Sequence, residues 1–303
     1  MTVLRPAAAS STVATAHGTF GELLQGVLPD GDTDFLVTLP VTRQSTATFE
    51  ASATRGIRVW PPNRWKAERL AGLMLAAQND VPGGTLRLAG DLPVGKGMAS
   101  SSADLVATAR AVGKALGMRT DPGRIEAWLR RIEPTDGVMY PGVVAFEHRN
   151  VRLRASLGHL PPAVIVGLDE GGMVDTIRFN QLMRTHSAED KHEYARMLAE
   201  LSEAIGRRDL NVIGEIATRS CVLADRFRPR PALPALLRIR DQVGAAGIVC
   251  AHSGTMLGLL FAAGEEKTEE RVRLAVRECR AISESVSVHQ CLSAAPGTVR
   301  PTS

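Results

Sequence analysis

One short segment of the sequence combines the residue types that bind phosphate. It spans residues 92–104 and reads LPVGKGMASSSAD. Its small residues let the backbone approach an anion, its serines add hydroxyl donors, and it leads into a helix whose N-terminal amides and dipole favour phosphate. In the simplest alternative, Ser100, Ser101 and Ser102 only cap that helix. Proline, glycines and three successive serines together favour a phosphate-binding loop.

The same segment narrowly fails the P-loop pattern. Gly90, Gly95 and Lys96 have the required spacing, but Gly97 stands where the motif needs a hydroxyl for Mg²⁺. Pro93 also removes one amide from such a loop. The sequence therefore disfavours a P-loop NTPase. It also lacks the G-x-S-x-G, H-E-x-x-H and G-x-G-x-x-G patterns, so hydrolase, zinc-protease and dinucleotide-binding interpretations have no support.

The elements around this loop are predicted from hydrophobic periodicity. In the N-terminal half, strands are expected over 34–41, 45–51, 85–88, 142–146 and 151–155. Helices are expected over 64–77, from Leu105 onward, and from Pro122 to Pro134. The phosphate-binding loop thus joins a strand to a helix.

The C-terminal half mixes helices and strands in the same way. Helices are expected over 189–206, 209–224, 266–281 and up to Gly244, with strands over 163–168, 247–251, 256–262 and 285–292. The order lacks strict βαβ alternation, which favours an α+β fold with helices layered on antiparallel sheet. We expect two domains, 1–155 and 156–303.

Composition limits the possible partners. The chain has 303 residues, of which 44% are hydrophobic, enough to form a substantial core. Its formal net charge of +4 comes from dispersed basic residues, which argues against nucleic-acid binding. No apolar run approaches the roughly 20 residues that span a bilayer, and no signal peptide is evident. We expect a cytoplasmic protein with a small-molecule ligand and no membrane partner; a homodimer is one oligomeric state left open.

Cysteines and tryptophans are assigned structural roles. Four cysteines lack metal-site spacing, so buried thiols are expected rather than disulfides or zinc: Cys221, Cys250, Cys279 and Cys291. Three tryptophans are assigned to the core by default: Trp60, Trp65 and Trp128.

Four segments together resemble one family. Residues 93–103 are similar to the motif P-x-x-x-G-L-G-S-S-A of the GHMP kinases (galactokinase, homoserine kinase, mevalonate kinase and phosphomevalonate kinase). Residues 18–26, GTFGELLQG, resemble the family's N-terminal motif, and residues 247–255, GIVCAHSGT, its glycine-rich third motif. Residues 133–142 resemble the region of its catalytic aspartate. The G-E-L-x-Q-G and H-S-G-T forms are typical of the L-threonine kinases of cobalamin biosynthesis.

This resemblance implies a two-lobed GHMP-kinase fold that uses ATP and Mg²⁺. The implied ATP-binding residues are Pro93, Gly95, Lys96, Gly97, Met98, Ala99, Ser100, Ser101 and Ser102. Ser101 would contact Mg²⁺, and Glu133 would either hold the metal or face solvent. Lys96 would add a cation to the phosphates or be a solvated loop lysine. Phosphoryl transfer needs charge neutralisation and positioning, which amides, a helix terminus and a metal provide.

Asp136 is the implied catalytic base. A hydroxyl is a poor nucleophile, so a carboxylate that accepts its proton is the simplest device. The alternative is an Asx turn that ends the preceding helix. Glu22 lies in an apolar neighbourhood and needs a partner, either the acceptor's ammonium group or a Mg²⁺-linked network.

The acceptor site is implied around the third motif. Substrate-binding candidates are Glu22, Thr19, His252, Ser253, Gly254 and Thr255. A lone histidine is as readily structural, and the segment Val174 to Thr176 with Asn180 is a weaker candidate. His17 and Phe20 depart from the threonine-kinase pattern near the expected acceptor pocket, and these departures bear on the substrate rather than on the chemistry.

The sequence thus predicts a kinase that phosphorylates the side-chain hydroxyl of L-threonine to give O-phospho-L-threonine. One alternative is a kinase of the same fold acting on homoserine, another β-hydroxy amino acid or an amino alcohol. The other is a non-catalytic ligand sensor of this fold. Retention of Asp136 and of the serine loop argues against the sensor. The resemblance implies a role in cobalamin biosynthesis, with a specialised-metabolite pathway left open.

Overall fold

The computed structural model describes residues 11–78, 82–172 and 186–293. The candidate residues Val174 to Thr176 and Asn180 lie outside these ranges. The strands are β1 Ser11–Leu28, β2 Thr33–Ser52, β3 Gly56–Trp60, β4 Gly83–Gly90, β5 Val143–Glu147, β6 Arg152–Gly158, β7 Ala163–Asp169, β8 Gly247–Cys250, β9 Met256–Ala262 and β10 Val286–Gln290. The helices are α1 Trp65–Ala76, α2 Ser100–Ala115, α3 Pro122–Leu129, α4 Ala188–Arg207, α5 Leu210–Asp225, α6 Leu233–Val243 and α7 Thr268–Arg280.

The described strands form one ten-stranded sheet. Its order is β10-β7-β9-β8-β1-β2-β4-β3, and β5 joins through β2 and pairs with β6. Neighbouring strands are antiparallel except β3 and β4, which are parallel. This mixed α/β architecture confirms the predicted α+β fold with antiparallel sheet and layered helices.

The long hairpin of β1 and β2 is the centre of the molecule. It pairs from Ser11 with Glu50 to Leu28 with Thr33. At Glu22, β1 also pairs with Cys250 of β8, so one strand links the two halves of the sequence. The expected domain boundary at residue 155 lies within β6 and stays a prediction.

Helices cover the sheet with their apolar faces. Helix α2 packs on β1 and β2, because its alanine-rich sequence allows a close approach and buries Leu105 and Val112. Helix α4 starts at a capping box between Ser187 and Asp190. It buries residues at helical spacing: Tyr194, Met197, Leu201 and Ile205. These spacings of three and four residues are the periodicity that predicts a helix over 189–206.

The four cysteines are buried and unlinked, as expected. The core assignment was wrong for two tryptophans, because Trp60 is 62% exposed and Trp65 is 51% exposed. Trp65 is the first residue of α1. None of the helices in the described ranges combines the length and apolar character needed to cross a membrane.

Candidate active site

The phosphate-binding loop joins β4 to α2 through three residues with positive φ. Gly95 has φ +72°, Gly97 has φ +86° and Ala99 has φ +54°. Helix α2 then begins at Ser100, and its N-cap residue Ala99 makes no side-chain cap. The first amides of a helix lack intrahelical acceptors. The serine loop therefore presents an open helix N-terminus, an arrangement that suits an anion.

The serine hydroxyls contact acidic side chains. Ser101 Oγ donates to Glu133 Oε1 at 2.6 Å, and Ser102 Oγ lies 3.3 Å from Asp136 Oδ2. Ser102 Oγ also accepts the backbone N–H of Asp136 at 3.1 Å. The helix-capping alternative for these two serines is therefore not what the structure shows. They connect the loop to the two carboxylates that the sequence analysis singled out.

Backbone hydrogen bonds from β1 hold the phosphate-binding loop in place. The N–H of Gly21 in β1 donates to the Gly97 carbonyl at 3.1 Å, and that of Thr19 donates to the Met98 carbonyl at 3.3 Å. A Cβ at Gly97 would lie 2.2 Å from Ala251 Cβ. Only glycine fits here, because the position needs both a positive φ and close contact with the chain beyond β8.

Asp136 lies half-buried in the loop after α3. Burial raises its pKa from 3.8 to about 6; the hydrogen bond with Ser102 opposes this change, and the nearby Glu133 charge adds to it. At pH 7 the carboxylate is ionised, yet it is a much stronger base than an exposed aspartate. A carboxylate with these properties can accept a proton from an alcohol.

Glu22 is a second carboxylate of the site, and it is buried. The register of β1 against β2 shifts on either side of it, a bulged arrangement that re-aims side chains. Its Oε2 accepts the N–H of His252 at 2.5 Å. Burial raises the pKa of Glu22 well above 4.5, the Asp136 charge and Cys250 raise it further, and the His252 N–H and Arg230 oppose them. A cation placed beside Glu22 would be stabilised.

Glu133 is the third carboxylate of the site. It pairs with the ammonium group of Lys66, which also lies 3.4 Å from Ser101 Oγ. Two hard oxygen ligands, Ser101 Oγ and a Glu133 oxygen, thus lie side by side. A magnesium ion bound with nucleotide needs only one or two protein oxygens. These residues fit Mg²⁺.

One cavity of about 270 Å³ brings these groups together. It is lined by the loop, by Glu22, Glu133 and Asp136, and by the start of α1. Sequence reasoning missed several of its residues, among them Asn63, Arg64, Trp65, Lys66 and His148. The ring of His148 lies edge-on to that of His252, with centroids 4.8 Å apart. No local pattern marks these residues, because tertiary contacts bring them to the site.

Family models match both halves of the chain. The model described as GHMP kinases N terminal domain matches residues 65–142, and that described as GHMP kinases C terminal matches residues 201–282. Together the matches cover more than half of the sequence. The chain belongs to the GHMP kinases. As a member of this family it is an ATP-dependent small-molecule phosphotransferase.

Two relatives of this GHMP kinase are L-threonine kinases. That of Salmonella typhimurium is 29% identical over 253 residues, covering 82% of each chain. That of Citrobacter freundii is 27% identical over 259 residues, covering 82% of this chain and 86% of its own. The chain is thus similar to these two enzymes over most of its length.

Solved structures share the fold. Homoserine kinase from Cytophaga hutchinsonii superposes with a TM-score of 0.72 at 14% identity, covering 96% of this chain and 98% of its own. Mevalonate kinase of L. major, solved with R-mevalonate, gives 0.69 at 14% identity and coverages of 95% and 97%. The predicted two-lobed GHMP-kinase fold is confirmed.

The expected site residues of this GHMP kinase fall into two sets. Those that line the cavity are Glu22, Gly95, Gly97, Met98, Ala99, Ser100, Ser101, Ser102, Glu133, Asp136, His252 and Ser253. Those outside its lining are Thr19, Pro93, Lys96, Gly254 and Thr255. Thr19 and Thr255 instead contact the loop through their backbone N–H groups.

Lys96, Phe20 and His17 make other contacts and do not line the cavity. Lys96 pairs with Asp169 Oδ2 at 2.5 Å. Phe20 is fully buried against Gly167 and Gly258, and His17 pairs with Gln44 along β2. Neither departure from the threonine-kinase pattern lines this cavity.

Proposed function

We propose that this GHMP kinase transfers the γ-phosphoryl group of ATP to the side-chain hydroxyl of L-threonine, giving O-phospho-L-threonine in the cytoplasm. The observation that carries the proposal is the placement of Asp136 in the same cavity as the serine loop, tied to it through Ser102. The two L-threonine kinases similar over 82% of the chain favour threonine as acceptor. A place in cobalamin biosynthesis stays a prediction from the sequence.

The proposed chemistry is a single in-line transfer. The loop amides and the N-terminus of α2 bind the triphosphate, and Asp136 takes the hydroxyl proton as the acceptor oxygen bonds to the γ-phosphorus. The bond to the β-phosphate oxygen breaks, leaving ADP. Positioning and charge stabilisation supply most of the rate enhancement in such reactions.

Glu22 is proposed to recognise the acceptor's ammonium group. Its carboxylate is buried near Asp136, so ionising it in the empty site is costly. A substrate ammonium group would stabilise the ionised form of Glu22, so binding would release a proton from Glu22. An acceptor without an amine cannot make this contact, so the site is expected to favour amino acids over mevalonate.

Ser101 and Glu133 are proposed to hold Mg²⁺, which neutralises phosphate charge when bound. Replacing Ser101 by alanine removes one oxygen ligand and the 2.6 Å hydrogen bond to Glu133. We expect Ser101→Ala to require a Mg²⁺ concentration about tenfold higher for half-maximal activity. Titration of Mg²⁺ at saturating ATP measures this. An unchanged titration curve would show that the metal is held by another residue.

The substrate proposal is tested by ADP release from Mg-ATP with a panel of acceptors. The panel contains L-threonine, D-threonine, L-serine, L-homoserine, aminopropanol and mevalonate, with Asp136→Asn as the blank. We expect turnover with L-threonine and little with the others. Turnover with another acceptor would refute threonine but keep the kinase chemistry. Tight ATP binding with no turnover on the panel would contradict the proposed reaction.

A further inference from the structure

Lys96 makes an unexpected contact for a residue in the phosphate-binding loop. Its Nζ lies 2.5 Å from Asp169 Oδ2 and donates to the Gly172 carbonyl at 2.6 Å. Asp169 is the last residue of β7. Both side chains are mostly buried, with Lys96 21% and Asp169 11% exposed. The loop is therefore tied by an ion pair to the C-terminal half of the chain.

Asp169 also holds the turn of the third motif, which consists of His252, Ser253 and Gly254. Its Oδ1 accepts the Thr255 hydroxyl at 2.5 Å, while the Gly171 N–H donates to the same carboxylate at 2.9 Å. Burial raises the pKa of Asp169, but the Lys96, Thr255 and Gly171 hydrogen bonds outweigh it, so the net change is downward. The carboxylate is thus ionised where it links the loop and the turn.

The adjacent Glu170 contacts the same turn. Its Oε2 lies 3.2 Å from Arg230 Nη1, and both side chains are buried, at 13% and 5% exposure. Arg230 donates to the Gly254 carbonyl at 2.9 Å and also to the Ala251 carbonyl. One guanidinium group therefore binds a carbonyl at each end of the turn, those of Ala251 and Gly254. Glu170 balances its charge.

The turn and the loop are in direct backbone contact. The N–H groups of Thr255 and Met256 both donate to the Lys96 carbonyl, at 3.1 and 3.3 Å. A Cβ at Gly254 would lie only 2.0 Å from that carbonyl oxygen. Since Lys96 is bound through its carbonyl on one side and its ammonium group on the other, any shift of the Asp169 carboxylate would move the loop.

We propose that Asp169 and Glu170 form an acidic brace that positions the phosphate-binding loop, through Lys96, and the third-motif turn, through Arg230 and Thr255. Lys96 and Arg230 are then positioning residues that do not contact the phosphates. The brace rests on the proposed function only in that the loop binds nucleotide. Its effect is to fix the loop amides before ATP arrives, which preserves binding affinity.

The test is a double-mutant cycle on Mg-ATP binding, measured by calorimetry with Lys96→Met, Asp169→Asn and the double variant. We expect each single change to weaken binding about tenfold, and the double variant to be no weaker than either single, because both remove the same interaction. Lys96→Arg should retain most of the affinity, since a guanidinium group can still pair with Asp169. Lys191→Met is the matched control, because Lys191 pairs with Asp32 at 2.6 Å away from the site.

A direct contact of Lys96 with the phosphates predicts a different effect of Asp169→Asn on Mg-ATP binding. If Lys96 acts on phosphate charge, Asp169→Asn removes a negative charge and leaves binding unchanged or tighter. That result would overturn the brace, as would additive losses in the double variant. Lower melting temperatures with unchanged Kd would equally overturn it, since they indicate a structural role alone. Failure of the threonine proposal leaves this test intact, because no acceptor is present.

Discussion

Asp136→Asn is expected to lower kcat by about 10² or more while Mg-ATP still binds, since removal of a general base costs about that much. The asparagine has nearly the same shape and can keep the contact with Ser102 through its carbonyl oxygen. The phosphate loop should therefore stay in place. Steady-state kinetics with the identified acceptor, together with calorimetric nucleotide binding, separate the lost proton transfer from lost affinity. Near-normal turnover would remove Asp136 from the mechanism.

The pH profile adds an independent criterion. With a pKa of about 6 in the free protein, Asp136 loses its basic form as pH falls below 6. We expect kcat/KM of the unchanged protein to fall about tenfold per pH unit below that value, because the rate follows the ionised fraction. The residual activity of Asp136→Asn should lack this acid limb. If the acid limb persists in Asp136→Asn, another titrating group produces it, and Glu22 is the first candidate.

The same substitution should stabilise the protein at neutral pH. The folded state raises the pKa of Asp136, so as pH rises the unfolded chain ionises first, from about pH 3.8. Folding stability is therefore lost between pH 3.8 and about 6, and the loss is complete above pH 6. It amounts to about 3 kcal/mol at most. Denaturant unfolding should show Asp136→Asn to be more stable at pH 8, with a difference that disappears towards pH 4.

Activity lost while stability is gained would be difficult to explain by misfolding. Buried ionised groups kept for catalysis commonly reduce the stability of the folded state. If Asp136→Asn and the unchanged protein are equally stable at both pH 8 and pH 4, the Asp136 carboxylate is better solvated than its burial implies. The base would then have an ordinary pKa and the acid limb would move below pH 6.

The sequence predicted the elements whose burial or function is visible in a local pattern of residues. Helix α4 places Tyr194, Met197 and Leu201 on one face, so its periodicity was direct evidence of burial. The serine loop was recognisable because its small residues and its helix start are contiguous in the chain. Asp136 was singled out by the resemblance of residues 133–142 to the family's catalytic-aspartate region, because its proline- and glycine-flanked loop alone is equally typical of an Asx turn.

The strand β1 could not be predicted in the same way. Its centre is buried on both faces, with Phe20, Leu23 and Leu24 fully buried. The register shifts around Glu22 break the period of two. A continuous apolar segment with a bulge has no alternation to detect. The predicted strands therefore began only at residue 34, after β1 had already crossed the sheet.

Several site residues depend wholly on tertiary contacts. Lys66 meets Glu133 across 67 positions of sequence, and Lys96 meets Asp169 across 73, a separation that no local pattern encodes. Trp65 looked like a core residue because aromatic side chains usually are buried. Its place at the start of α1 puts it on the rim of the cavity instead. Such assignments require the folded chain.

Gly97→Ala is expected to weaken Mg-ATP binding by about 10² or more. Gly97 has φ +86°, and an added Cβ would lie 2.2 Å from Ala251 Cβ and 2.9 Å from Gly254 Cα. Neither neighbour is a flexible side-chain end, so the loop itself must move. A displacement of about 1 Å in a preorganised site can cost a hundredfold. Calorimetric titration with Mg-ATP measures the loss.

Gly117→Ala is the matched control for this prediction. Gly117 has φ +64°, but nothing lies within 4 Å of an added Cβ. It therefore carries the same backbone strain as Gly97 without the steric conflict. Both variants should lower the melting temperature, because alanine is disfavoured at positive φ. Only Gly97→Ala should lose nucleotide affinity. If both variants bind Mg-ATP equally well, the loop does not cradle the phosphates, whereas the expected difference would tie binding to the close packing of the loop against the third-motif turn.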